Sequence, residues 1–418
     1  MDYCCLMHVK TKSMRILLLY MAITFCIPLH VSANGDGFSF IRDRRSISMP
    51  IKVRNNLAVV PLYINDRGPF YFILDTGVRT TILTEPVLAH LLDLDMQESI
   101  YIYGLGGDGI VQAVLAKGVD IRLHGIRGKN MNLIVIPEDI LMFSEIFGFP
   151  VYGVIGYDLF KNFAIEISYT NERMRVFRDA NYRISRRSHE IPFELVNGKP
   201  YVSATIFGEE GDSLTTNLLL DLGASHPLYL NRSHNYLSDR TLNSFIGKGI
   251  SGNLMGDIGR ADKVRIGDIE IDNPLVFYPE REFLIFNELE INWQGLIGGS
   301  IIRRFNIIID YPSEKLVLRP GRSFSDPFNT SLSGLEVVAS GPQLNQFKIH
   351  YVRPGSAAYE AGVQSGDYIM QINHLSRHEL NLDEILDAIN LREGHQISML
   401  VNRNGILLRK NFRLREDL

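Results

Sequence analysis

The chain has 418 residues, a net charge of -4, three cysteines and 45% hydrophobic residues, with a mean hydropathy of +0.01. That length calls for more than one hydrophobic core, and the small, mixed charge gives no basic face for nucleic acid. Near-zero hydropathy excludes a polytopic membrane protein, the apolar content excludes wholesale disorder, and three cysteines without a Cys-x-x-Cys pair cannot staple a scaffold.

In chain order, Lys10, Lys12 and Arg15 precede an apolar run from Ile16 to Phe25, and Val31-Ser32-Ala33 supplies small residues. This is the order of a secretory signal peptide, cut after Ala33, and the run is too short to span a bilayer. Met14 is an alternative start, and the bulky Phe25 argues against lipidation of Cys26. Cleavage removes three basic residues, one acidic residue and all three cysteines, so the mature chain carries -6 and no thiol. The expectation is export to the periplasm or beyond, with no transmembrane segment left after the cut.

The mature chain then repeats itself. Phe72-Ile73-Leu74-Asp75-Thr76-Gly77 and Leu218-Leu219-Leu220-Asp221-Leu222-Gly223 are apolar strands ending in Asp-x-Gly, each behind a strand and turn of hairpin type. Gly104-x-Gly106-x-x-Gly109 follows the first aspartate and Gly247-x-Gly249-x-x-Gly252 the second. Gly153-Val154-Ile155-Gly156 answers to Gly295-Leu296-Ile297-Gly298, and the strand from Phe163 to the strand from Phe305. Four ordered landmarks at offsets of 146, 143, 142 and 142 residues imply a duplicated, mainly β domain.

With these residues in view, each half resembles an aspartic protease lobe. The first is similar to bacterial retropepsin-like aspartyl proteases, including the Gly-x-Gly-Gly of Gly104, Gly106 and Gly107, while two lobes in one chain resemble the pepsin-like plan. The resemblance implies an acid-protease fold, with lobe 1 over 36–180, lobe 2 over 191–320, and Asp75 and Asp221 meeting at a pseudo-twofold axis. Two adjacent carboxyls cannot both ionise, so they share a proton: one serves as base to a water, the other as acid to the peptide carbonyl. Gly77 and Gly223 leave room for backbone N–H groups to approach the carboxyls.

The departures are specific. The family's Thr or Ser after each aspartate bonds across to the other lobe; Thr76 fits, but Leu222 has no hydroxyl. Val78-Arg79 stands where Ala-Ser is commoner, whereas the second lobe has Ala224-Ser225. Val78 and Ala224 point to work nearer neutral pH than strong acid. Arg79 is read as solvent-facing; turned inward it would lower the acidity constants of the pair. Tyr103, Gly104, Gly106, Gly107, Gly247 and Gly249 are candidate flap residues; a dinucleotide fingerprint is disfavoured because both copies trail an Asp-x-Gly. No metal-ligand set or Gly-x-Ser-x-Gly is present, and no cofactor is called for. His226 is assigned to the surface or a cap, Trp293 to the core and Asp310 to structure.

Gly321 to Thr330 reads as a linker. Beyond it, Val352-Arg353-Pro354-Gly355-Ser356-Ala357-Ala358, then Ala361 to Ile369, a helix near Asp383–Ile389 and two closing strands resemble a PDZ domain of bacterial exported proteases, over 331–418. This small α+β domain implies capture of peptide termini, with Leu332-Ser333-Gly334-Leu335 as the candidate carboxylate loop. The leading expectation is an exported aspartic endopeptidase acting on peptide or protein substrates that the PDZ domain recruits or orients. The alternative is a degenerate protease-like scaffold that binds peptides, supported by Leu222.

Overall fold

The computed structural model describes residues 37–104, 110–136, 141–208, 210–280, 294–376 and 378–418. The signal segment, its three cysteines, Trp293, Gly106 and Gly107 lie outside the described residues. Among the described residues no helix is long and apolar enough to cross a membrane, and no three His, Cys, Asp or Glu side chains gather to hold a metal.

The chain is mainly β. In the first lobe, strands Leu57–Ile64 and Arg67–Leu74 form a hairpin whose turn residues Asn65 and Asp66 take positive φ, at 48° and 60°. That left-handed pair matches the twist of the flanking strands, and Asn and Asp tolerate it best after glycine. The hairpin's second strand runs parallel to Gly153–Ile155, with Leu74 opposite Ile155. In the second lobe, Lys199–Phe207 and Ser213–Leu220 form the corresponding hairpin, and Leu220 lies opposite Ile297 of Gly295–Ile297. Each Asp-x-Gly therefore leaves a strand fixed on both sides by apolar neighbours, with Phe72, Leu74, Leu218 and Ile297 almost wholly buried.

A six-stranded sheet joins the halves, in the order His189–Pro192, Lys315–Pro320, Phe305–Asp310, Ala164–Ser168, Arg173–Phe177 and Ser46–Pro50. At its centre, Ala164–Ser168 and Phe305–Asp310 pair antiparallel, with Glu166 opposite Ile308. Those two residues stand at the repeat's own 142-residue offset. A residue facing its own duplicate across an antiparallel pair marks a local twofold axis, so the duplication is written into the hydrogen-bond register.

The remaining sheet has the order Leu335–Ser340, Gln346–Val352, Tyr368–Ile372, Gln396–Arg403 and Ile406–Arg413, with a helix over Leu382–Ile389. Asn381 and Glu384 close a capping box at the helix start, and Ile385 and Ile389 face the core. The expected linker is a tied strap. Arg304, 1% exposed, donates to the carbonyls of Ser300, Ser323, Phe324, Asp326 and Pro327, and its guanidinium lies 3.6 Å from the centre of the Phe328 ring. Ser- and Pro-rich composition marks chain without regular structure, and says nothing of a distant arginine that fastens it.

Candidate active site

The Asp75 N–H donates to Ile155 O at 3.0 Å and the Asp221 N–H to Ile297 O at 2.9 Å, so the repeated hydrophobic-Gly segments hold both turns. The Gly77 N–H donates to Asp75 Oδ1 at 2.7 Å and the Gly223 N–H to Asp221 Oδ1 at 2.8 Å. The absence of side chains at these glycines is required by the opposite lobe. A Cβ on Gly223 would collide with the opposite carboxyl, 2.3 Å from the carboxyl carbon of Asp75, while one on Gly77 would be tight, 3.1 Å from its own Asp75 Oδ1 and 3.2 Å from Asp221 Oδ2. The two carboxyls, 146 residues apart in the chain, thus come together in one cleft.

Burial is the largest influence on both carboxyls and raises both; Asp75 rises well above the usual range because the charge of Asp221 adds to it. The Gly77 and Gly223 N–H groups and the charge of Lys199 pull back toward the ionised form. The pair therefore keeps a shared proton to higher pH than free carboxyls would. Chemically, such a pair holds one carboxyl that can accept a proton next to one that can give it.

Thr76 is completely buried. Its hydroxyl donates to Leu220 O at 2.5 Å and accepts from the Leu222 N–H at 3.0 Å. One side chain of the first lobe thus grips the second lobe by two backbone groups, and Leu222, itself buried, has no hydroxyl to return the grip. Asn56 adds another tie, donating to Ser225 O at 2.9 Å.

The flap candidates divide. Leu242–Gly249 and Gly252–Arg260 make the second lobe's hairpin, with Gly249 opposite Gly252 and a bulge at Gly247, where φ is 131°. In the first lobe, Asp95–Tyr103 pairs with Ile110–Leu123, Tyr103 opposite Ile110. The two hairpins meet: Ser251 Oγ donates to Gly104 O at 3.1 Å, and a Cβ on Gly104 would collide with Ile250. Arg79 is exposed and, although it lies at the cleft, its charge acts on Asp158.

His226 needs correction: it neither caps nor sits on the surface. Its ring stacks on Phe277 at 4.1 Å, against the wall of the cleft, and burial lowers its pKa to about 4, which keeps it neutral at ordinary pH. Beside it, the Tyr229 hydroxyl donates to Ile246 O at 2.6 Å and anchors the bulged flap strand. Asp310 is structural, accepting from the Tyr182 hydroxyl at 2.8 Å and the Ser313 N–H at 3.1 Å.

The loop Leu332-Ser333-Gly334-Leu335 is a closed turn and not an open row of donors. The Leu332 N–H goes to Asn390 Oδ1, the Gly334 N–H to Ser331 O and the Leu335 N–H to Ser333 Oγ, all at 3.2 Å. Ser333 is wholly buried. The next strand has a role that no motif announces: Glu336, Val337 and Val338 line the same cavity as Asp75 and Asp221, a space of about 1110 Å³. Three contacts seat this domain on the lobes. Arg54 pairs with Asp383 at 2.5 Å, Gly148 packs on Leu382, and the Phe245 ring meets His350 edge-on and Tyr351 at a tilt. Lys199, Tyr229 and Glu336 are thus cleft residues that no motif flagged, because each belongs to the wall and not to a repeated turn.

The molecule is a mainly β, protease-like protein: a paired-aspartate cleft between duplicated halves, followed by a PDZ domain. Residues 60–159 match the family model described as aspartyl protease, and residues 348–403 match that described as PDZ domain. The crystal structure of an aspartic proteinase from Irpex lacteus is similar at a TM-score of 0.44 and 12% identity, over 67% of this chain and 98% of that one. No curated protein sequence matches.

Proposed function

We propose that the chain is an exported aspartic endopeptidase whose cleft takes an extended segment of peptide or protein, with the PDZ domain orienting that segment. The observation that carries the reading is the pair Asp75 and Asp221, each oriented by its own glycine N–H and brought side by side in one cleft. The ionised member takes a proton from water as its oxygen bonds to the peptide carbonyl carbon. The protonated member gives its proton to the carbonyl oxygen, and collapse of the tetrahedral species breaks the C–N bond with a proton delivered to the leaving nitrogen. No individual role is assigned to either aspartate, because the pair titrates as a unit. Export rests on the signal-like residues 1–33, and N-terminal sequencing of the secreted chain for a start at Asn34 tests it.

The test of the chemistry is cleavage of a peptide library by the mature chain beside Asp75→Asn and Asp221→Asn. Loss of cleavage in both variants supports the reading. A chain that binds peptides without cutting them is instead a degenerate binding scaffold, the reading that the one-sided grip at Leu222 favours.

A further inference from the structure

Glu336 stands on Leu335–Ser340, the end strand of the PDZ sheet, among buried neighbours Leu335, Val337, Val338 and Ala339. A bulge between Glu336 and Val337 breaks the alternation of the strand. The carboxylate opens into the cleft cavity, exposed to that space while protein surrounds it, and burial raises its pKa to about 7. Among the described residues no hydrogen bond or ion pair reaches it. Arg353, the cation whose charge it feels, is already held by Asp417 at 2.5 Å and Ser331 O at 3.0 Å. Tyr229 feels the charges of both Asp221 and Glu336, and all three residues line the one cavity.

A carboxylate that lines a cleft without a hydrogen-bond or ion-pair partner is free to take a charge-assisted bond from a cation that arrives with a ligand. Lys199, Lys248 and His350 also border the cavity. The surrounding wall, including Leu254, Val337 and Leu386, is apolar and suits the methylene stem of a long side chain. We propose that Glu336 is a specificity-determining residue of the catalytic cleft, receiving the lysine or arginine side chain of an extended peptide that crosses the aspartates. The assignment rests on the peptidase reading and adds a substrate class to it: segments carrying a basic residue at one fixed position from the cut. It also gives the PDZ domain a task within the cleft, since its end strand supplies the recognising group.

The experiment compares peptides that differ only by lysine or its uncharged isostere norleucine, scanned through each position. With the full mature chain, lysine is favoured at one position by about 10–100-fold, the worth of one charge-assisted bond. Glu336→Gln removes that preference, and Glu336→Lys transfers it to Asp or Glu. Equal cutting of lysine and norleucine peptides at every position, or a preference that survives Glu336→Gln, overturns the assignment while leaving the peptidase intact. The same affinity ratio is measured by fluorescence anisotropy on Asp75→Asn, with and without Glu336→Gln. A Glu336-dependent ratio there, with no cleavage by the unmodified chain, sustains the basic-residue site and refutes the peptidase. Absence of a ratio in both assays refutes the site.

Discussion

Replacing Thr76 by valine removes one hydroxyl and almost no volume. In the native chain that hydroxyl satisfies Leu220 O at 2.5 Å and the Leu222 N–H at 3.0 Å, in a position with no exposed surface. Valine fills the same space but leaves a carbonyl and an N–H of the second lobe without partners and without water. Each buried, unpaired group costs about 1–3 kcal/mol, so Thr76→Val is expected to lose about 2–6 kcal/mol of stability. Thr76→Ser keeps both bonds and loses a methyl, about 1 kcal/mol. The stranded groups flank Asp221, so the valine variant also lets that carboxyl drift from Asp75; a shift of about 1 Å costs about 100-fold in rate. Urea denaturation and steady-state cleavage of the two variants decide the matter. A valine variant as stable and as active as the serine variant refutes the idea that this single side chain locks the lobes.

Gly223→Ala places a Cβ 2.3 Å from the Asp75 carboxyl carbon, so cleavage is expected to vanish while the melting transition stays cooperative; retained activity contradicts the geometry. The raised pKa values of Asp75 and Asp221 place the singly protonated pair above the ordinary carboxylate range, so the pH-rate profile of the wild-type chain peaks above about pH 4 and a more acid optimum refutes it. Glu336 is raised from the model-peptide range to about 7, so the folded state holds its proton more tightly than the unfolded chain does. That stability is complete below the unfolded pKa and is lost as pH rises to about 7; the unfolding free energy of Glu336→Gln minus that of wild type therefore rises between about pH 4.5 and 7.5, and a constant or falling difference refutes it. Arg304→Met strands several carbonyls of the strap, so thermolysin cuts within residues 321–330 faster than in wild type, with about 3 kcal/mol lost; unchanged proteolysis removes the arginine's assigned task.

The repeat was legible residue by residue because duplication copies local requirements. An apolar strand, an aspartate and a glycine must recur wherever the same turn recurs, and the spacing even anticipates the Glu166–Ile308 pair at the centre of the joining sheet. The capped helix Leu382–Ile389 and the turn at Asn404-Gly405 were legible for the same reason: caps, periodicity and positive φ act within a few residues. The wall of the cleft was not. His226 reads as surface until Phe277 stacks on it, and Arg304 is one more arginine until five carbonyls gather around it. The loop at Leu332–Leu335 has the composition of an anion nest, but the N–H groups of Leu332, Gly334 and Leu335 go to Asn390, Ser331 and Ser333. Sequence by itself determined which residue types could do the chemistry, since backbone geometry is local. Only the tertiary structure decided what surrounds them, because the place of a charge such as Glu336 in the cleft depends on segments more than a hundred residues away that pattern along the chain does not encode.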